Sequence, residues 1–413
     1  MEKAVLVVGG GISGMTVAVE AAECGKKVYL VEKEAYLGGR VSRMNKYFPK
    51  LCPPYCGMEI NFRRIRANKN ITVLTSSEVT EVSGSEGDYN ATVTTAPMMV
   101  NQKCVCCDDC TAVCTESRDD KFNYDLSKTK AIYLPHPMAF PMRYTIDPGS
   151  CKTESCAKCV EVCKYNAIEL NAKESSQTLE VESVVYATGW KPFDAGKIEN
   201  LGYTDVTNVI TNVEMERFAS TVGPTAGKIL RRDNGAPAKK VVFVQCAGSR
   251  DENYLPYCSS ICCLVSIKQA KYVRDLYPED SEVYIFYIDL RAPGKYETFY
   301  KSLQEDTKVN FIKGKVAKIE QGGDGSAVVT AEDILGGGKV VIECDLVVLA
   351  TGMEPSLSNG NTPNWLKVDD NGFVQSANGM IAAGVAAAPV DVTTSIKSST
   401  GAALHAIQKG IGK

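Results

Sequence analysis

Histidine is nearly missing. The 413-residue chain has two, His136 and His405, and neither stands at a metal-ligand spacing, which leaves packing or surface roles for both. No window of about 18 uninterrupted apolar residues occurs, so no segment reads as a membrane-crossing helix. Met1-Glu2-Lys3 leads into a short strand rather than into the apolar core of a signal peptide, and a soluble protein of the cytoplasm is expected. One-sided charge is missing too: 46 Lys and Arg against 49 Asp and Glu give a net charge of -3, which argues against nucleic acid or an acidic membrane surface as the main partner. With 44% hydrophobic and 23% charged residues, disordered, collagen-like and coiled-coil readings are excluded. The length suits about two or three structural units.

Cysteine, by contrast, is abundant and clustered: of 17, five fall in 104–114, four in 151–163 and three in 258–263. A chain of this size does not need disulfide staples. In a reducing compartment such clusters point to metal or redox chemistry.

The N-terminal region reads strand (Ala4–Val8), glycine turn (Gly9-Gly10-Gly11-Ile12-Ser13-Gly14), helix (Met15 to about Cys24), strand (Lys27–Val31) and acid (Glu32). That is the dinucleotide fingerprint in its expected context. Gly9 permits the tight turn, Gly11 lets the backbone approach a pyrophosphate, Gly14 lets helix and strand pack closely, and Glu32 lies where a ribose hydroxyl would be held. Leu37-Gly38-Gly39-Arg40 resembles the second glycine turn of FAD-binding flavoproteins, which implies FAD, with Gly39 and Arg40 in the site. Three short runs, Ile71–Thr75, Glu78–Val82 and Ala91–Thr95, read as a β-meander. The strands Ser183–Tyr186 and Asp345–Leu349 each end in Ala-Thr-Gly, at Ala187-Thr188-Gly189 and Ala350-Thr351-Gly352. Such paired crossings resemble those of the glutathione and thioredoxin reductase class, whose flavin site takes in Thr188 and Gly189. The fold expected is α/β, a two-dinucleotide-fold flavoprotein with an inserted ferredoxin-like domain.

Lys240–Val244 should open the second nucleotide domain and Glu282–Ile288 continue it. The loop Gln245-Cys246-Ala247-Gly248-Ser249-Arg250 lacks the glycine pattern that admits a pyrophosphate, so a nicotinamide site is not expected. Gly379–Val385 resembles the terminal FAD strand, with Gly384 in the site and Val385 where an acid normally holds the ribityl chain. That contact then falls to backbone or to another residue such as Asp391. A helix from about Thr393–Lys397 would point its N-terminus at the flavin, or be capped by Thr393 and Thr394.

Cys104, Cys107, Cys110 and Cys114 have the C-x2-C-x2-C-x3-C spacing of bacterial ferredoxins, and Cys151, Cys156, Cys159 and Cys163 form a close second copy. In two-cluster ferredoxins the fourth cysteine of each run serves the other cluster. The expected sets are therefore Cys104, Cys107 and Cys110 with Cys163, and Cys151, Cys156 and Cys159 with Cys114. Neither run has the usual proline after its last cysteine, Cys106 is an extra, and zinc or a disulfide lattice are the alternatives. Cys246, Cys258, Cys262 and Cys263 form a third group, which buried structural thiols would also explain.

The motifs Gln245–Arg250, Pro256-Tyr257-Cys258 with Cys262-Cys263, Lys130–Pro135, Ile146-Asp147-Pro148 and both Ala-Thr-Gly turns together resemble the heterodisulfide reductase A-subunit family, over nearly the whole chain. The resemblance implies a third 4Fe-4S cluster on Cys246, Cys258, Cys262 and Cys263, beside FAD and the two clusters of the insert. Residues 1–96, 173–190 and 353–413 are expected to form the FAD domain, 97–172 the insert, and 191–352 a second nucleotide-fold domain with a degenerate NAD motif. The extra terminal domains of full-length members are not expected here. The compact form resembles the branch found in the quinone-interacting membrane-bound oxidoreductases of sulfate-reducing bacteria. That likeness implies an electron-transfer component, without a catalytic acid, base or nucleophile, in a hetero-oligomeric complex at the cytoplasmic face of a membrane. Its partners would be adenylylsulfate reductase and a quinone-reactive membrane protein. The alternatives are an NAD(P)H-dependent disulfide reductase using Cys52 and Cys56, which are spaced C-x3-C with two prolines, and a non-catalytic scaffold.

Overall fold

The computed structural model describes residues 3–358 and 360–408, which fold as two units. The first comprises Met1–Arg43, Tyr55–Trp190 and Pro355–Lys413; the second comprises Met44–Pro54 and Lys191–Glu354.

The first unit is built on a parallel sheet in which Ile71–Leu74, Val28–Val31, Ala4–Val8 and the end of the long strand Ser175–Tyr186 lie side by side, with Met380–Ala382 next. Ala4–Val8 is apolar throughout and nearly all buried, as a parallel strand covered on both faces must be. The long strand changes character along its length. Its exposed polar start pairs antiparallel with Asp88–Thr95, which pairs in turn with Ser77–Ser85, while its buried Val184–Tyr186 end joins the parallel sheet. This corrects the meander read from sequence. Ile71–Leu74 belongs to the nucleotide sheet, and the third strand of the antiparallel layer is the first half of Ser175–Tyr186. A short apolar run reads alike in both settings, and its true partners lie far along the chain.

Residues 97–172 carry the hairpins Ser117–Asp119 with Lys128–Lys130 and Ile132–Tyr133 with Thr145–Ile146, two five-residue helices (Asp109–Val113 and Lys158–Val162), and a closing bridge from Val100 to Ile168. Their small core is Met99, Val100, Cys110, Ile132, Tyr144, Ile146 and Ile168. This segment is joined to the second glycine turn. Leu37 N–H donates to the Phe140 carbonyl (2.7 Å), Arg43 to the Lys121 carbonyl (3.0 Å) and Arg40 to the Tyr124 hydroxyl (3.3 Å). His136 stacks on Phe122 at 4.7 Å and meets Tyr36 edge-on at 5.0 Å.

The second unit has a five-stranded parallel sheet ordered Val209–Thr211, Leu346–Thr351, Lys240–Ala247, Glu282–Tyr287, Val309–Lys313, and a separate antiparallel sheet of Val316–Gln321, Ala327–Asp333 and Gly338–Cys344. Its helices include Asn212–Ala219, closed by a Thr211/Glu214 capping box, and Cys262–Leu276. One stretch of the expected first segment, Met44–Pro54, packs here. The physical reason is a buried charge pair. Lys268, fully buried, lies 2.9 Å from Glu216 and donates to the Lys46 carbonyl (2.8 Å), while Glu216 accepts the Asn45 N–H (2.9 Å).

Candidate cofactor sites

The helix Ile12–Glu23 starts at Gly11 without a side-chain cap, so its first N–H groups are left for a ligand. The three fingerprint glycines meet different surroundings. A Cβ at Gly14 would lie 1.7 Å from the Gly9 carbonyl oxygen, and one at Gly9, whose φ is +106°, would lie 2.4 Å from that of Ala187. At Gly11 the nearest atom is 3.9 Å away, Gly39 Cα. Gly9 and Gly14 therefore close the turn against protein, whereas Gly11 borders open space, as a cofactor's approach requires. Glu32 is buried, and its carboxylate accepts Gly10 N–H (2.7 Å) and Glu34 N–H (2.8 Å); desolvation pushes its pKa up. The sequence signalled Glu32 as a ligand residue but not its second task of bracing the turn.

Gly38 N–H donates to the Gly10 carbonyl (2.8 Å), so the second glycine turn lies along the first, and Gly39 follows with φ +54°. Arg40 donates to the Trp190 carbonyl (2.8 Å), with its guanidinium over the Trp190 ring at 5.4 Å. Thr188 and Gly189, after the long strand, sit between Ala187 and that Trp190 anchor. Gly384 has φ +60°, and a Cβ there would meet Ser13 Oγ at 2.0 Å, which brings the last glycine onto the first helix. Asp391 caps the helix Val392–Gln408 by accepting Thr394 N–H (2.7 Å). Its carboxylate, offered from sequence as a ribityl contact, is thus engaged with the backbone, and the cap is Asp391 rather than Thr393 or Thr394.

In the insert, two cavities are walled by thiols. One has Cys104, Cys107, Cys110 and Cys163, with Cys106, among Val100, Ile132, Tyr144 and Ile168. The other has Cys114, Cys151, Cys156 and Cys159 among Ile132, Ile146 and Leu170. These are the two sets of four that the exchange pattern groups. The loops repeat each other: Asp108 (φ +68°) and Ala157 (φ +46°) turn the chain left-handed after Cys107 and Cys156, a five-residue helix follows, and Cys114 and Cys163 terminate it with extended backbone. Backbone N–H groups point at sulfur, from Thr153 to Cys151 (3.3 Å) and from Ala167 to Cys163 (3.4 Å). Burial, helped by the charge of neighbouring thiols, pushes Cys110 up to about 12 and Cys106 to about 11. As they stand, no three His, Cys, Asp or Glu side chains among the described residues are gathered closely enough to hold a metal ion. Four thiols round an apolar wall match in kind and number the donors that a 4Fe-4S cluster takes.

The third group gathers at the end of Lys240–Ala247 and the start of Cys262–Leu276. Burial raises Cys262 well above an ordinary thiol, with Cys246, Cys263 and Cys258 nearby adding to the rise, and burial likewise pushes Cys246 up to about 11. Cys262 donates to the Thr351 carbonyl (3.7 Å), and Ser260 N–H donates to Cys258 sulfur (3.4 Å). The neighbouring loop is filled: a Cβ on Gly248 would lie 2.4 Å from the Phe193 ring, so the one glycine where a second pyrophosphate would approach is packed by an aromatic side chain. Cys52 and Cys56 are exposed free thiols, the first in the Met44–Pro54 strap and the second in the helix Tyr55–Ala67. His405 is exposed on the Val392–Gln408 helix.

A family described as FAD dependent oxidoreductase matches residues 4–48, the fingerprint and second glycine turn. The thioredoxin reductases of Lactococcus lactis (TM-score 0.54, 13% identity, 100% of both chains) and T. acidophilum (TM-score 0.54, 15% identity, 99% of this chain and 98% of that one) share the fold. By fold and glycine site this is a flavoprotein oxidoreductase with two dinucleotide-binding folds. Within that class it is a homologue of the A subunits of heterodisulfide reductases. It is 36% identical over 98% of its length to the A subunit of the Ferredoxin/F(420)H(2)-dependent CoB-CoM heterodisulfide reductase of Methanosarcina acetivorans. It is 34% identical over 97% to the A subunit of the H(2):CoB-CoM heterodisulfide,ferredoxin reductase of Methanothermobacter marburgensis, and 36% identical over 98% to the iron-sulfur A subunit of the CoB--CoM heterodisulfide reductase of Methanocaldococcus jannaschii. The chain spans 53%, 63% and 64% of these relatives' lengths, respectively.

Proposed function

We propose that this chain is an FAD and iron–sulfur electron-transfer subunit of a multi-protein oxidoreductase complex. In that complex it relays electrons between a quinone-linked membrane partner and a soluble reductase such as adenylylsulfate reductase. The observation that carries the electron-transfer reading is the pair of four-thiol cavities in a segment hydrogen-bonded to the second glycine turn. When bound, FAD supplies exchange between paired and single electrons, and clusters carry single electrons.

The chain's own residues bind and orient these groups. Gly11 and the uncapped helix start receive the pyrophosphate, Glu32 the ribose, and Gly39, Arg40, Thr188, Gly189 and Gly384 line the remainder of the flavin site. Cys104, Cys107, Cys110 and Cys163 hold one 4Fe-4S centre, Cys114, Cys151, Cys156 and Cys159 a second, and Cys246, Cys258, Cys262 and Cys263 a third. No acid, base or nucleophile is required. With Phe193 filling the loop at Gly248, electrons arrive from and leave to proteins rather than a pyridine nucleotide. Attachment at the cytoplasmic face runs through partner subunits in this reading; no helix among the described residues is long and apolar enough to cross a membrane.

Anaerobically purified protein should contain one FAD and about twelve iron atoms. Stoichiometric zinc with little iron overturns the cluster reading, whereas about eight irons removes the third centre alone. Cys163→Ser should perturb the centre shared with Cys104, and Cys114→Ser the other, each seen as loss or change of one spectroscopic signal. NADH or NADPH oxidation by the isolated chain, abolished in Cys52→Ser, would favour the disulfide-reductase reading instead. Native purification as a lone monomer that turns over a small substrate would sink the assignment to a complex.

A further inference from the structure

The Arg40 guanidinium is held from two sides by residues far along the chain. Its Nε donates to the Trp190 carbonyl (2.8 Å), and a terminal nitrogen donates to the Tyr124 hydroxyl (3.3 Å). The cation also lies 5.4 Å from the centre of the Trp190 ring and 5.9 Å from that of Tyr124. Among the described residues no carboxylate pairs with Arg40, so these neighbours fix its direction without cancelling its charge. Trp190 directly follows Thr188-Gly189, whereas Tyr124 belongs to the insert. The insert builds a shaped arm to bring Tyr124 there. Residues 120–127 close the hairpin of Ser117–Asp119 and Lys128–Lys130. Asp120 organises them: its carboxylate accepts the Phe122 N–H (3.1 Å), the Asn123 amide (2.6 Å) and the Ser127 hydroxyl (3.3 Å), and its carbonyl accepts the Asp125 N–H (3.0 Å). Tyr124 and Asp125 then take left-handed backbone, φ +54° and +63°, which side-chain-bearing residues keep only when their surroundings hold them there. The arm meets the second glycine turn again at Arg43, which donates to the Lys121 carbonyl (3.0 Å) and lies 5.6 Å from the centre of the Phe122 ring.

We propose that Tyr124 is a positioning residue for the flavin site, the arm of the insert holding the Arg40 guanidinium where it meets the anionic groups of the cofactor. The proposal rests on the reading of Arg40 as a flavin-site residue. The main chain is already in place, since a Cβ at Gly39 would lie 2.9 Å from Gly11 Cα, beside the uncapped helix start. The arginine side chain has several rotatable bonds, and Tyr124 and Trp190 restrict them before the cofactor arrives, so less freedom is lost on binding. Because Tyr124 stands on the insert, flavin affinity depends on the insert being folded, and by linkage bound FAD steadies the arm in return. A role confined to packing the insert hairpin predicts effects that do not depend on which residue stands at position 40.

The test uses the full chain, purified anaerobically, as wild type, Arg40→Gln, Tyr124→Phe, Tyr124→Leu and Arg40→Gln combined with each Tyr124 change. Iron content relative to wild type is measured first, to confirm an intact insert. The flavin-free proteins are then titrated with FAD, whose fluorescence reports binding. Arg40→Gln should weaken binding about a hundredfold, as loss of a charged donor does. Tyr124→Leu should weaken it about tenfold, and Tyr124→Phe, which keeps the ring but not the hydroxyl, about threefold. In the Arg40→Gln background neither Tyr124 change should weaken binding further, because Tyr124 acts through Arg40. Wild-type affinity in Tyr124→Leu, or losses that simply multiply in the double variant, overturns the proposal. If Tyr124→Leu loses iron, Tyr124→Phe decides by the same two criteria. A wild type that takes up no FAD, or an Arg40→Gln variant that binds it as tightly as wild type, marks failure of the underlying flavin-site reading instead, and the proposal falls with it.

Discussion

Gly11 and Gly14 are three residues apart in one motif, yet a methyl group added to each meets opposite conditions. At Gly14 it collides with the Gly9 carbonyl at 1.7 Å, backbone against backbone, where neither side can yield cheaply. Gly14→Ala should lower the stability of the flavin-free protein by about 1–3 kcal/mol, the usual cost of overpacking, as read by denaturant unfolding. At Gly11 it projects into open space. Gly11→Val should leave flavin-free stability near wild type but abolish retention of FAD through gel filtration; full flavin occupancy would refute the placement of the cofactor. Glu32→Gln should act on both quantities. Its amide can accept one of the Gly10 and Glu34 N–H groups but turns a donor toward the other, a loss of about 1–3 kcal/mol with weaker flavin binding.

Among the elements, the Cys262–Leu276 helix has the least visible function in the sequence. Lys268 stands in a helical pattern where a lysine normally reaches solvent, but here it is fully buried against Glu216 and holds the Met44–Pro54 strap. Lys268→Met should cost about 3–5 kcal/mol, because it leaves the Glu216 carboxylate buried without its cation. It should also open the strap to limited proteolysis. Adding Glu216→Gln should recover much of the stability, and a single variant within about 1 kcal/mol of wild type would show that the pair is dispensable. The paired insert loops are the opposite case. Cysteine spacing announced them, since the short helices and left-handed turns at Asp108 and Ala157 repeat wherever the spacing repeats.

For the whole molecule, the insert is the part expected to depend most on the proposed clusters. Its apolar core has seven buried members, and cysteines supply much of what packs around them. Cluster loading and folding should therefore be coupled. Chelation of iron under mild oxidation is expected to lower the thermal midpoint and to make residues 97–172 the first segment cut by protease, with the second unit's parallel sheet persisting longer. Uniform cleavage across both units would count against this. The fold itself was readable from local signals, namely the glycine fingerprint, both Ala-Thr-Gly turns and the buried parallel runs. The meander was misread because Ile71–Leu74 carries no mark of which neighbour it pairs with.

Local sequence by itself determined the chemistry that each segment can perform. Glycines mark where backbone must come close, an acid follows the second strand, and thiols recur at cluster spacing, because these requirements are written into a few adjacent residues. Tertiary structure alone decided which glycine faces open space and which faces protein. It also decided that Phe193 closes the loop at Gly248 and that Glu216 and Lys268 are buried together. Each of these joins residues distant in sequence or reverses the exposure expected of the residue type. They depend on the packing of the finished fold, which no local pattern encodes.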